Sequence, residues 1–348
     1  MKDVLGINYY FGPQDHQDAV FAPERRDALG AGFVQGFKAW IEARYDVVVH
    51  TWDCVDASAP EVKAVLYFDY SWRYAKCDPF LEKIPFEKRA LMMIEPANVN
   101  PSLYYLKRYR NRFSTVFTWD RRLLAENPLY KPVNVPVGAE PSVYRENRFR
   151  DIPFAEKKLL IAVSRNRWSY MPQSTYRKRK AAYAYFDACR PDGFDLFGPG
   201  WNEPSGPFDK WLGFPHYRTY RGELPGGWDG KVSRMANYRF ALCFENNAHQ
   251  PGYISEKITD CFCARCVPVY YGSEGTEEVI PRDCWIDARA FRHYRDLEAF
   301  LIGMTAGRHA AYVRAIDDFM KSPRLDFFST EHYFRTLAEG LGLPPRSV

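Results

Sequence analysis

The sequence predicts two α/β units, each a parallel sheet covered by helices in the Rossmann-like manner and together facing a cleft. Three observations predict this. The chain has 348 residues, more than one hydrophobic core usually serves, and divides naturally into two domains of roughly 150 to 200 residues. Short apolar runs alternate with segments of helical period along most of its length. A stretch broken by proline and glycine separates this alternation into two parts.

In the first part, the apolar run Val4 to Phe11, the helical pattern from about Arg25 to Arg44 and the β-branched run Val47 to His50 read as strand, helix, strand. Further apolar runs at Ala64 to Phe68, Ala90 to Glu95 and Ser114 to Trp119 continue the alternation, which predicts a buried parallel sheet. From about Leu129 to Pro153, Pro132, Pro136, Gly138, Pro141 and Pro153 interrupt any period. The linker is expected there, with a first domain over 1–150 and a second over 151–325. The second opens with a strand at Lys158 to Val163, a helix at Thr175 to Cys189 and a strand at Phe194 to Phe197 that ends in Gly198-Pro199-Gly200. The stretch Trp201 to Gly230 shows neither period and reads as a long surface loop. A compact βαβ unit follows: strand Arg239 to Glu245, loop Asn246 to Gly252, helix from about Ser255 to Ala264, strand Val267 to Tyr271. The tail, Asp296 to Leu341, is mostly amphipathic helix, and residues 326–348 are expected to pack back on the first domain.

Composition narrows the function. With 46% hydrophobic and 26% charged residues, the chain reads as soluble and globular rather than disordered. Its net charge of +5 is modest and its basic residues are dispersed, so no nucleic-acid partner is expected. No stretch approaches the ~20 apolar residues of a membrane-spanning helix. A cytoplasmic location is expected, with peripheral contact at the inner membrane left open. The eight cysteines read as reduced thiols, and Cys261, Cys263 and Cys266 as core residues rather than metal ligands. The 17% aromatic content suits stacking on bases or sugar faces, and suits a large core equally.

In open parallel sheets, ligands bind beyond the carboxyl ends of the strands, where helix N-termini favour anions. Phe244-Glu245-Asn246-Asn247 sits at such an end, and Tyr253-Ile254-Ser255-Glu256-Lys257 opens the next helix. A lysine in a first turn opposes the positive end of the helix dipole unless an anion is present, and a diphosphate would supply one. Glu256 has two oxygens for ribose hydroxyls, and Tyr253 offers a ring and a hydroxyl. An exposed surface ion pair is the competing reading of Glu256 and Lys257 alone.

Taken together, Phe240, Phe244-Glu245-Asn246, Tyr253, Glu256-Lys257 and the run Val267 to Ser273 resemble the donor-site signature of the α-1,3-fucosyltransferase family. The resemblance implies a two-domain GT-B fold, GDP-fucose as donor and inversion at the transferred carbon. The sequence departs from the family pattern at Asn247, where serine is common, and at Ser255, where threonine is usual. A second stretch, Tyr176-Arg177-Lys178-Arg179 with Asp195-Leu196-Phe197-Gly198, is similar to the family's diphosphate-binding helix and following strand. This implies donor-site roles for Tyr176, Arg179 and Gly198, with Arg177 as the alternative phosphate-binding arginine. A third, Leu91 to Pro96, is similar to the segment that carries the family's general base, which implies that role for Glu95. Read by itself, Glu95 is more readily a strand-terminal surface carboxylate.

The implied partners are GDP-fucose and a glycan acceptor such as O3 of N-acetylglucosamine in lipopolysaccharide. No cofactor is expected, with divalent metal at most stimulatory, because no Asp-x-Asp pair is evident and Lys257 and Arg179 would stabilise the departing diphosphate. Two alternatives remain open at this point: another GDP-sugar on the same fold, and a glycan-binding relative without catalysis.

Overall fold

A computed structural model describes residues 2–9, 13–25, 31–71, 80–135, 152–206 and 209–346. The chain divides into two compact units, Met1–Val135 with Thr330–Val348, and Pro136–Ser329. Both are α/β, and each contains one all-parallel sheet.

The first sheet has six strands in the order β2-β1-β3-β4-β5-β6: β1 (Asp3–Asn8), β2 (Val47–Thr51), β3 (Val62–Phe68), β4 (Arg89–Met92), β5 (Thr115–Thr118) and β6 (Lys131–Pro132). Helix α1 (Ala31–Arg44) buries Val34, Phe37 and Ile41, positions that share one face at helical spacing. The last helix of the chain, Thr330–Gly340, buries Tyr333, Phe334, Leu337 and Ala338 and packs Phe334 edge-on against Phe37 at 5.0 Å. The short helices α2 (Pro101–Tyr105), α3 (Lys107–Arg110) and α4 (Arg121–Glu126) connect the later strands.

Three expectations for this unit need correction. Lys131–Pro132 is a sixth strand, paired with β5, inside the stretch read as linker. Proline has no N–H to give a ladder, so it suits only the edge position it occupies. Strand β4 ends at Met92 rather than Glu95, because the Asp69 carboxylate accepts the N–H groups of Ile94 and Glu95 at 2.9 and 3.0 Å. The first helix starts at Ala31, after a separate 3₁₀ turn at Pro23–Arg25. The rest of the expected linker, 136–151, and the end of the first apolar run at Phe11 lie outside the described residues.

The second sheet has five strands in the order β11-β10-β9-β7-β8: β7 (Lys158–Val163), β8 (Phe194–Phe197), β9 (Tyr238–Phe244), β10 (Val267–Tyr271) and β11 (Ile286–Asp287). Its helices are α5 (Tyr176–Cys189), α6 (Asp209–Leu212), α7 (Gly227–Met235), α8 (Glu256–Cys263), α9 (Thr276–Val279), α10 (Tyr294–Ile302) and α11 (Ala306–Lys321). Strand β9 is buried along nearly its whole length, as expected for a parallel strand covered on both faces. Cys243, Cys261, Cys263, Cys266 and Cys284 lie in the same core.

The supposed surface loop Trp201 to Gly230 is more ordered than its composition implies. It contains α6 and the start of α7, and Trp201 is fully buried, donating from Nε1 to the Ser164 carbonyl at 2.6 Å. Three glycines, Gly226, Gly227 and Gly230, obscure the helical period of α7. Gly230 is required there, since a Cβ would meet the Pro225 carbonyl oxygen at 1.9 Å. Among the described residues, no helix is long and apolar enough to cross a membrane.

Candidate functional site

Strand order locates the ligand end of the second unit. From β7 the chain moves to β8 on one side, then returns to β9 on the other, so the connections diverge between β7 and β9. The crevice at such a switch point, beyond the carboxyl ends, is where open parallel sheets bind ligands. Glu245, Asn246, Thr175 and Arg179 meet there. Thr175 Oγ donates to the Glu245 carbonyl, and Thr175 N–H donates to the Asn246 carbonyl at 3.2 Å.

Glu245 organises the N-terminus of α8. It is completely buried, and its carboxylate accepts the Ser255 N–H at 2.9 Å, the Ser255 hydroxyl at 2.7 Å, the Tyr270 hydroxyl at 3.2 Å and the Lys257 ammonium at 3.4 Å. With those partners its oxygens are engaged by the protein. Glu245, expected among the donor-binding residues, thus braces the start of α8 from beneath. A carboxylate at a helix N-terminus is also favourable to the dipole.

Lys257 joins Glu245 to the surface. Its ammonium donates to the Ser255 hydroxyl at 2.8 Å and lies 3.7 Å from Glu256. Burial opposes its charge, but the carboxylates of Glu256 and Glu245 outweigh burial and hold the ammonium above its usual range. Glu256, with its side chain about half exposed, is held below the ordinary carboxylate range first by Lys257, against the effect of burial, and further by Lys231. Lys231 comes from α7 and forms a buried pair with Asp260 of α8, which also accepts from Trp228 Nε1 at 2.7 Å. Burial pushes the Asp260 carboxyl up, while Lys231 opposes that rise. The α7–α8 link is absent from the sequence reading because α7 itself is obscured.

The remaining predicted donor residues fall close to this end. Arg179 is buried, and its Nη2 donates to the carbonyls of Phe244 and Glu245 at 2.6 and 3.3 Å and to Asn246 Oδ1 at 3.3 Å. Its Nε is buried without a hydrogen-bond partner among the described residues. Arg177 is exposed. Tyr176 is buried beneath the Arg179 guanidinium at 5.2 Å from its ring centre, and Tyr253 is buried with its hydroxyl 3.5 Å from Asn246 Nδ2. The two departures from the family pattern are structurally explained. Ser255 caps α8 and bridges Glu245 to Lys257, while buried Asn247 accepts the His249 N–H and donates to Gln250 Oε1, bracing the loop. Asp195, in the second resembling stretch, holds Lys158, Arg221 and Tyr238 at 2.9, 2.7 and 2.6 Å, a structural role.

Gly198 ends β8 in the left-handed region at φ +116°, and a Cβ there would stand 2.2 Å from the Ser164 carbonyl oxygen. The substitution Gly198→Ala is expected to destabilise the second unit by about 2 kcal/mol or more, from backbone strain and from displacing the β7 end. Chemical denaturation compared with wild type measures this, and a change below about 0.5 kcal/mol would contradict it.

In the first unit the connections diverge between β1 and β3, and Asp69 stands just beyond β3. It is buried and left-handed at φ 59°. Both its oxygens hold the turn that carries Glu95, and the Glu95 carbonyl in turn accepts the Tyr104 hydroxyl at 2.9 Å. Glu95 is partly exposed. The Tyr9 hydroxyl is pushed up by burial and then by the charges of Asp69 and Glu95. Asp69 and Tyr9 escaped the sequence reading, although Asp69 follows a long apolar strand just as Glu95 does.

Residues 225–316 match the model of the C-terminal part of glycosyltransferase family 10 (fucosyltransferase). This stretch of the chain is similar to a fucosyltransferase-family segment. That segment includes Glu245, Asn246, Tyr253, Glu256 and Lys257, the whole N-terminus of α8. Human α-(1,3)-fucosyltransferase 7 is 37% identical over 84 residues, which cover 23% of this chain and 24% of that protein, so the match spans about a quarter of the relative's length. Fold likeness extends further than sequence likeness. An α1,3-fucosyltransferase solved with GDP-fucose aligns over 98% of this chain and 90% of its own, with 13% identity and a TM-score of 0.51. An α-glucosyltransferase solved with UDP and DNA aligns over 98% and 100%, with 12% identity and a TM-score of 0.56. Both parallel-sheet units thus belong to a GT-B-like glycosyltransferase fold. The two solved structures hold different nucleotides, so this fold by itself does not fix the donor.

Proposed function

We propose that this protein is an inverting glycosyltransferase that moves fucose from GDP-fucose to a hydroxyl of a glycan acceptor, with O3 of N-acetylglucosamine in a cell-surface glycan such as lipopolysaccharide as the acceptor class. The observation that carries this reading is the α8 N-terminus, where Lys257 and Glu256 sit on a buried Glu245 anchor within the fucosyltransferase-family segment. A diphosphate fits the positive end of the α8 dipole and the Lys257 ammonium. The buried, unpartnered Nε of Arg179 is a further donor that a phosphate oxygen would satisfy. Glu256 suits the ribose hydroxyls, and Asn246 and Tyr253 the sugar or nucleotide beside them.

As the bond to GDP breaks, negative charge grows on the diphosphate and positive charge on the sugar ring. Lys257 and Arg179 stabilise the first without a metal in this reading. Glu95 is the proposed base that takes the acceptor proton as its oxygen attacks from the opposite face, which inverts the carbon in one displacement. The reading includes a cytoplasmic enzyme supplied by a cytosolic GDP-sugar, with peripheral contact at the inner membrane.

Calorimetric titration with GDP, GDP-fucose and GDP-mannose in the presence of chelator tests the donor. GDP-fucose is expected to bind more tightly than GDP-mannose; equal binding would keep the nucleotide and remove fucose, and no binding would remove the transferase reading. In the same assay Lys257→Ala is expected to weaken GDP by roughly tenfold or more, the loss of a charge-assisted phosphate contact. An unchanged affinity would take Lys257 out of the donor site.

A further inference from the structure

An open pocket of about 640 Å³ in the second unit has the size usual for a small-molecule site. Two aromatic rings at adjacent strand ends line its base, Phe244 of β9 and Tyr271 of β10, stacked with centroids 5.3 Å apart and planes 6° from parallel. Its rim is cationic. Lys178 comes from α5, Arg289 from the turn after β11, Arg292 from the approach to α10 and Arg295 from the first turn of that helix. No Asp or Glu is among the described residues that line it.

These cations are unequally balanced. Asp287 engages Arg289 through bonds of 3.0 and 3.1 Å, and Asp296 lies 3.4 Å from Arg295. Among the described residues, Lys178 and Arg292 have no carboxylate within ion-pair distance. Lys178 instead donates to the Tyr271 hydroxyl at 2.5 Å and sits 4.8 Å from that ring's centre, so an anion brought to it would also lie beside the stacked rings. Arg295 in a first helical turn opposes the dipole, a cost that a bound anion would remove.

None of Arg179, Asn246, Tyr253, Glu256 and Lys257 lines this pocket. The ligand it suits has a flat apolar face and an anionic edge. A pyranose bearing a carboxylate or phosphate has both: its C–H face packs against the half-buried Tyr271 ring, backed by the buried Phe244, while the acid group meets Lys178, Arg292 and Arg295. We propose that this pocket binds an acidic sugar of the glycan acceptor, a proposal that rests on the glycosyltransferase reading above.

The test is calorimetric binding of trigalacturonic acid, N-acetylglucosamine 6-phosphate and neutral galactotriose to wild type and to Arg292→Gln/Arg295→Gln, with GDP titrated into both proteins. At least one acidic probe is expected to bind more tightly than galactotriose, and to weaken by about fivefold or more in the variant, the size expected from losing two partly exposed charge contacts. Which probe binds distinguishes a carboxylate from a phosphate. GDP affinity is expected to be the same in both proteins, and GDP is expected not to displace the acidic probe. Equal binding of the neutral sugar, an unaffected variant, displacement by GDP or no binding of either acidic probe overturns the proposal. Absence of GDP binding in wild type would instead remove the reading on which it rests, and the acidic-sugar titration would still report on the pocket.

Discussion

Glu245→Ala is expected to destabilise the second unit by about 3–5 kcal/mol, the cost of breaking a buried ion pair from one side. The carboxylate is fully buried and accepts four bonds, from Ser255 twice, Tyr270 and Lys257. Removing it leaves the Tyr270 hydroxyl and two Ser255 donors without their acceptor and strips the Lys257 ammonium of its inner partner. Glu256 would then be the remaining carboxylate near Lys257, drawing it outward. For a unit of this size the loss corresponds to a fall in thermal midpoint of roughly 10 °C. GDP binding should fall as well, because the α8 N-terminus loses its anchor. Glu256→Gln is the informative contrast: that side chain is half exposed and pairs with Lys257 at 3.7 Å, so the midpoint should stay within about 2 °C while GDP weakens. Circular-dichroism melting and GDP calorimetry on both variants give the answer. A Glu245→Ala protein with a wild-type midpoint would show that the network does not stabilise the fold.

This contrast also shows what could be read from the sequence. The two parallel sheets were legible because strands buried on both faces write continuous apolar runs, and Lys158–Val163, Phe194–Phe197 and Val267–Tyr271 appear in the structure at the read boundaries. The order of the strands was not legible, since it depends on which side each crossover takes, and strand order is what locates both switch points. Residue type placed Glu245, Glu256 and Lys257 together, but could not separate their roles. Glu245 and Glu256 differ in burial, and burial follows from Tyr270 and Ser255 closing over one carboxylate and not the other. Composition misled over 201–230, where prolines and glycines read as loop although Trp201 anchors the segment and α7 begins inside it. Glycine lowers helical propensity, yet Gly230 is the residue that lets the helix start pass the Pro225 carbonyl. Asp69 stayed hidden for a related reason: a carboxylate that bonds main-chain N–H groups of a distant turn leaves no local motif.

Glu95→Gln is expected to lower kcat by about 10²–10⁴-fold, the usual contribution of a positioned base, with GDP affinity unchanged. The neighbouring carboxylate is the natural rival for the proposed role, and the two differ in their surroundings. Asp69 is buried and uses both oxygens on the Ile94 and Glu95 N–H groups, so its bonds fix the turn. Glu95, partly exposed at the end of that turn, has its backbone clamped on both sides, by Asp69 and by Tyr104. A base held on a braced turn keeps its position through the proton transfer, which lowers the cost of reorganisation. Asp69→Ala should therefore act differently from Glu95→Gln. It should lower both stability and kcat by loosening the turn, whereas Glu95→Gln should leave the melting midpoint near wild type and remove turnover alone. The Gln side chain keeps size and hydrogen bonding but cannot take a proton at neutral pH, so the pH–rate profile of any residual activity should lose the limb that reports the base. Donor turnover with an acceptor in hand, GDP calorimetry and melting on the two variants separate these outcomes. If Glu95→Gln retains more than about a tenth of wild-type kcat, Glu95 is not the base, since that is far less than a positioned base contributes.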